Sequence, residues 1–143
     1  MRKIAIWGVL ALMAVAIAAV PALAANPHQP ASAEPITCTQ LADFSVECTG
    51  DLAGLGNVDN IDVFVDVAAG CATSGNLKQP KGHIQGGQTD IPVTNGRAQF
   101  DVTTASPDCP PGLNPVVGST ALVTVTDSAT DEVLFQQRVT IIK

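Results

Sequence analysis

The residues able to do nucleophilic, redox or metal chemistry are Cys38, Cys48, Cys71 and Cys109, together with His83, since His28 falls near the N-terminus. A reactive thiolate needs a neighbouring histidine or cation, and a zinc site needs closely spaced cysteine pairs of the C-x-x-C kind. No two of these cysteines have that spacing, and a single histidine serves all four. The pattern therefore points to disulfides, with no metal and no cofactor.

Four cysteines allow three pairings. In "TCTQLADFSVECTG", Cys38 and Cys48 stand in a nearly symmetric frame. Folded as a hairpin centred near Asp43, the segment sets Cys38 opposite Cys48 and Thr37 opposite Thr49, which leaves Cys71 to pair with Cys109. Following the chain up and down through its strands brings those two to one pole. By loop-closure entropy the two bridges contribute about 3 and about 4 kcal/mol respectively.

Other candidate groups are weaker. "GDLAGLGNVDNID" gathers Asp51, Asn57, Asp59 and Asp62, oxygen ligands that could hold calcium, although Asp and Asn are also ordinary turn residues and the helix-loop-helix spacing is missing. Asp62 and Asp66 share a strand face about 13 Å apart, farther than the carboxylates of a glycosidase. His83 reads as a surface histidine in a glycine-rich loop, and no strained G-x-S-x-G turn supplies a serine for it. The chain is therefore expected not to be an enzyme. "SPDCPPGLNP" is the candidate partner loop, spanning 105–115. There Pro107, Pro110 and Pro111 restrict the backbone, Cys109 anchors it, and Asp108 and Leu113 offer contacts.

Short period-two runs must position these groups. Ala42, Phe44, Val46 and Cys48 alternate with Asp43, Ser45 and Glu47, although the hairpin alternative would put Ala42 in the turn. Ile61, Val63, Val65 and Val67 oppose Asp62, Phe64 and Asp66, and Ala98, Phe100 and Val102 oppose Gln99, Asp101 and Thr103. Asn95-Gly96 predicts a type I′ hairpin between "DIPV" and "RAQFDVTT"; "DSATDE" predicts another between two C-terminal strands. Residues 70–88 and 105–118 read as long connections. Together these features predict an all-β domain, an antiparallel immunoglobulin-like sandwich of seven to eight strands stapled by disulfides, with a small β-barrel as the alternative.

Residues 1–24, "MRKIAIWGVLALMAVAIAAVPALA", read as a signal peptide: Arg2 and Lys3, an apolar run, then a small-residue cleavage site. Residues 25–34 read as a flexible arm, and 35–143 as the sandwich domain. The net charge of −6 becomes more acidic once Arg2 and Lys3 leave, which argues against nucleic acid, and against membrane binding after cleavage. The one tryptophan, Trp7, lies in the leader and there is no tyrosine, so aromatic stacking platforms are lacking.

"CTGDLAGLG", the valine-rich run ending at "GC", "NGRAQFDVTT" and "CPPG" resemble stretches of small exported bacterial proteins of unknown function. The resemblance implies a secreted β-sandwich and transfers no catalytic residue. The expectation is a secreted, extracellular, non-catalytic binding or structural module, whose partner is an extracellular protein or a second copy. Its alternatives are a protease inhibitor presenting the 105–115 loop and a self-assembling surface protein whose arm adds a strand to a neighbour.

Overall fold

The computed structural model describes Pro27 and residues 35–73 and 82–143. The leader, the rest of the 25–34 arm, His28, Lys78 and Lys81 lie outside the described residues. Among the described residues there are seven strands: β1 Thr37–Gln40, β2 Val46–Leu52, β3 Asn60–Ala72, β4 Gly82–Pro92, β5 Ala98–Thr103, β6 Asn114–Asp127 and β7 Val133–Ile142. They form one sheet in the order β4-β3-β6-β7-β1-β2-β5. Every pairing is antiparallel except β1 with β7, where Cys38 meets Ile141 and Thr39 meets Ile142 in parallel.

The sheet curls until its two end strands meet, giving a nearly barrel-shaped molecule. Across that seam the Ala105 N–H donates to the Gln85 carbonyl at 3.0 Å, and the Asp101 N–H to Gln88 Oε1 at 3.2 Å. Gly86 permits the approach, because a Cβ there would lie 2.4 Å from the Thr103 carbonyl oxygen. Meeting edges consume backbone groups that would otherwise template pairing with another chain.

The alternating runs of β3 and β5 turn the faces predicted for them: Ile61, Val63, Val65 and Val67 are buried, as are Ala98, Phe100 and Val102. With Val123, Val125, Leu52 and Ile141 they build one core of mostly β-branched side chains. Such side chains suit a pleated surface, and each contributes roughly 1.5–3 kcal/mol on full burial. Leu55 is fully buried beneath them: Gly54 and Gly56 both take positive φ, turning the side chain between them inward, and the Leu55 N–H donates to the Gly96 carbonyl at 3.0 Å. "GLG" is thus the plug of the lower pole.

Five expectations need correction. The sheet is mixed where an antiparallel one is expected, because β1 pairs with β7 in parallel. The strand after Asp43 begins only at Val46; Phe44 sits at φ 65° in the turn, so the alternation through Ala42 belongs to the hairpin bend. β4 already starts at Gly82, which places His83 on a strand rather than in a loop. The glycines that made this stretch look like a loop are sheet positions: Gly86 admits β5, and Gly87 lies under the Phe64 ring, whose nearest atom would be 2.9 Å from a Cβ. β6 starts at Asn114, so the second connection ends at Leu113 and Pro115 is a strand residue. Asn95 and Gly96 do both take positive φ, but the turn bonds only Thr94 to Arg97. Beyond it β4 ladders with β3, and β5 with β2, because the turn carries the chain across the seam.

Candidate functional site

Both predicted disulfides form, Cys38 to Cys48 and Cys71 to Cys109, and no cysteine is free. Cys38 lies opposite Cys48 and Thr37 opposite Thr49, the register of the symmetric frame. Two intramolecular bridges fit an oxidising environment. In this oxidised state none of the four sulfurs is a thiolate.

The upper pole is where β1, β3 and β5 end and β2, β4 and β6 begin. There the segment from Thr104 to Leu113 crosses from β5 to β6, fastened along its length. Thr104 is buried: its N–H donates to the Val46 carbonyl at 2.9 Å, and its hydroxyl accepts from the Val46 N–H at 2.9 Å. Ala105 is tied to Gln85 of β4. The Ser106 hydroxyl donates to Asp43 Oδ2 at 2.8 Å, joining the segment to the β1–β2 turn. Cys109 is bridged to Cys71 at the end of β3, with 5.6 Å between the α-carbons. Finally Pro110–Leu113 forms a tight turn, in which the Leu113 N–H donates to the Pro110 carbonyl at 3.1 Å. Pro111 presets φ before Gly112, whose φ of 89° a residue with a Cβ rarely adopts.

Asp43 organises the neighbouring turn as well. Its Oδ1 accepts from the Ser45 hydroxyl at 2.6 Å and the Ser45 N–H at 3.1 Å. Hydrogen bonds from Ser45, then Ser106, hold its carboxyl below the ordinary value of 3.8. Between these ties Asp108, Pro110 and Pro111 face solvent, while Pro107 and Leu113 are half-buried. The geometry is a short, exposed, preset ridge.

The calcium candidates are dispersed. Asp51 Oδ2 accepts from Arg97 Nη2 at 2.7 Å beside a groove of about 510 Å³ between the lower halves of β4 and β5. Asp62 Oδ1 accepts from the Ser128 hydroxyl and from the Asp90 N–H, so it holds the bulge of β4 and the β6–β7 turn together. Those two bonds lower its pKa, Ser128 foremost. Asn57 and Asp59 line a cleft of about 350 Å³ with Asp90, Asp127 and Ser128, of which Asp90 and Ser128 are the residues bonded to Asp62. Among the described residues no three carboxylate, histidine or cysteine groups converge as ligands would.

His83 Nδ1 pairs with Asp66 Oδ2 at 2.9 Å, and Gln85 Nε2 donates to Asp66 Oδ1 at 2.8 Å. This histidine–carboxylate pair lies across β3 and β4 on the outer face, with the His83 side chain 58% exposed. Phe64 shares that face and is 45% exposed, its ring lying over Gly87. Thr104, Gln85 and Asp43, which fasten the candidate loop, were not legible as site residues, nor was the fastening role of Ser106 within it. Only "DFS", a local aspartate–serine turn signal at residues 43–45, carried a hint of Asp43.

No family model, curated protein or solved structure matches this chain.

Proposed function

We propose that this chain is a secreted, non-catalytic binding module that presents residues 105–113 to an extracellular protein. The carrying observation is the density of ties on that segment: Gln85, Asp43 and Cys71, from three different elements, hold it in place, and Thr104 just before it is bonded to Val46. A segment ordered before contact loses little entropy on binding, so a partner retains more of the contact energy. Pro107, Asp108, Pro110, Pro111 and Leu113 are its contact residues. In the same reading β1, β2 and β5 act as one layer of an immunoglobulin-like sandwich and β4, β3, β6 and β7 as the other, the two remaining continuous through the parallel β1–β7 pair. The two bridges support an extracellular setting.

The non-catalytic part of the reading is supported by the commitment of every thiol to a bridge and by the open position of the His83–Asp66 pair. The test uses the oxidised protein against a panel of extracellular proteases, with sedimentation for self-association, beside a Pro107→Gly/Asp108→Ala/Pro111→Gly variant that keeps Cys109. A partner or protease bound by the wild type and at least tenfold more weakly by the variant supports the reading. Binding indifferent to the variant, self-association through another surface, or a hydrolytic activity lost in His83→Ala overturns it.

A further inference from the structure

The two disulfides differ in access and in what they restrain. Cys38 and Cys48 are both 0% exposed, and their strands are paired on either side of the bridge. Cys71 is exposed and Cys109 half-buried, at the upper pole. Thiol–disulfide exchange requires an attacking thiolate to reach a sulfur. For Cys71–Cys109 that access exists in the folded molecule, whereas Cys38–Cys48 is reached only when the hairpin core opens.

Cutting the two bridges also has different consequences. Without its bridge the β1–β2 hairpin keeps its ladder, its core burial and its pairing with β5 and β7. The candidate loop has its other ties at Thr104–Ser106 and within the Pro110–Leu113 turn. Between Ser106 and Pro110 the chain is tied to the end of β3 through Cys109. Opening that bridge leaves Pro107, Asp108 and Cys109 held to the end of β3 only by weak sulfur contacts, Cys71 with the Asp108 carbonyl at 3.7 Å and Cys109 with the Gly70 carbonyl at 3.8 Å, while the sheet stays intact.

We propose that Cys71–Cys109 is a redox latch on the loop, opened in the folded protein by a dithiol. This regulatory role rests on the binding reading of residues 105–113. One thiolate of the dithiol attacks Cys71 Sγ, forming a mixed disulfide and expelling the Cys109 thiolate. The second thiolate attacks the mixed disulfide and expels the Cys71 thiolate. The dithiol leaves as its cyclic disulfide, having passed two electrons to the cysteines, which take up the two protons it gave up. Oxidation by the reverse route relocks the loop.

The test incubates the folded, oxidised protein with graded dithiothreitol at pH 8 without denaturant. The thiols are then trapped with iodoacetamide, the peptides mapped, and amide exchange measured on the partly reduced form. The expected result is alkylation of Cys71 and Cys109 at least tenfold faster than of Cys38 and Cys48. Exchange should accelerate at 107–109, while β3 and β6 amides stay protected. Simultaneous opening of both bridges, earlier opening of Cys38–Cys48, or unchanged exchange at the loop after reduction overturns the latch. These readouts need no partner, so they stand apart from the binding test: a partner lost with the loop variant but held equally by oxidised and reduced protein keeps the binding reading and overturns the regulation. A Cys71→Ser/Cys109→Ser protein should reproduce the reduced loop and ignore reductant.

Discussion

Asp43 and Ser106 are 63 residues apart in the chain and joined by a 2.8 Å hydrogen bond. Through that contact the turn of the first hairpin positions the segment between β5 and β6. The carboxylate spends its other oxygen on Ser45, so one side chain shapes the turn and fastens the loop.

Removing that carboxylate should loosen the loop while leaving the sheet folded. For Asp43→Ala we expect a measurable fall in the unfolding midpoint, from the loss of two charge-assisted hydroxyl contacts. Amide exchange should rise at 105–109 and 43–45. Chemical denaturation and exchange on the same variant check both; unchanged exchange at the loop would show that Cys109 alone holds it.

Acid should act on the same contact. Asp43 and Asp62 both have folded-state pKa values below 3.8, through hydrogen bonds from Ser45 and Ser128 respectively. A carboxyl depressed on folding stabilises fully above its unfolded value, and that stabilisation is lost as pH falls through its folded value. Thermal stability should therefore decline below about pH 4, as these carboxylates begin to protonate. Asp43→Asn and Asp62→Asn should each flatten the decline, which melting curves between pH 6 and 2 would reveal.

Gly86 tests the seam. A methyl group there would lie 2.4 Å from the Thr103 carbonyl oxygen and 2.8 Å from the Thr104 α-carbon, both backbone atoms that cannot swing away. Gly86→Ala should destabilise by about 1–3 kcal/mol or more through forced backbone displacement, and increase exchange in β4 and β5. Gly87→Ala meets the Phe64 ring, a side chain that can rotate, and should cost less. Equal unfolding midpoints for the two variants would refute the tight seam.

Leu55 tests the lower plug. Its complete burial between two glycines of positive φ predicts that Leu55→Ala costs about 2–5 kcal/mol, the transfer loss plus the cavity left behind. Denaturant unfolding would show it. A loss under 1 kcal/mol would mean that the pole collapses around the gap.

Local patterns carried much of the fold. The alternation of Ile61 to Val67 and Ala98 to Val102 set their buried faces, because a strand's side chains must alternate whatever it pairs with. The Cys38–Cys48 register was legible because a short hairpin has few ways to close around its centre. Cys71–Cys109 was legible by elimination and by counting strand reversals. Opposed to these, the glycines at 82, 86 and 87 looked like a loop, since nothing in the sequence announces a strand that will press against them.

What the sequence determined alone was therefore the inward faces of β3 and β5, the hairpin frame around Cys38 and Cys48 and, by elimination, the second cysteine pair, all consequences of side-chain period and short-range closure. Only the tertiary structure decided that the sheet bends until β4 meets β5, that β1 lies parallel to β7, and that Asp43, Gln85 and Val46 converge on the segment after β5. Those contacts join residues far apart in the chain, and they arise from sheet twist and core packing, which act on the whole molecule at once.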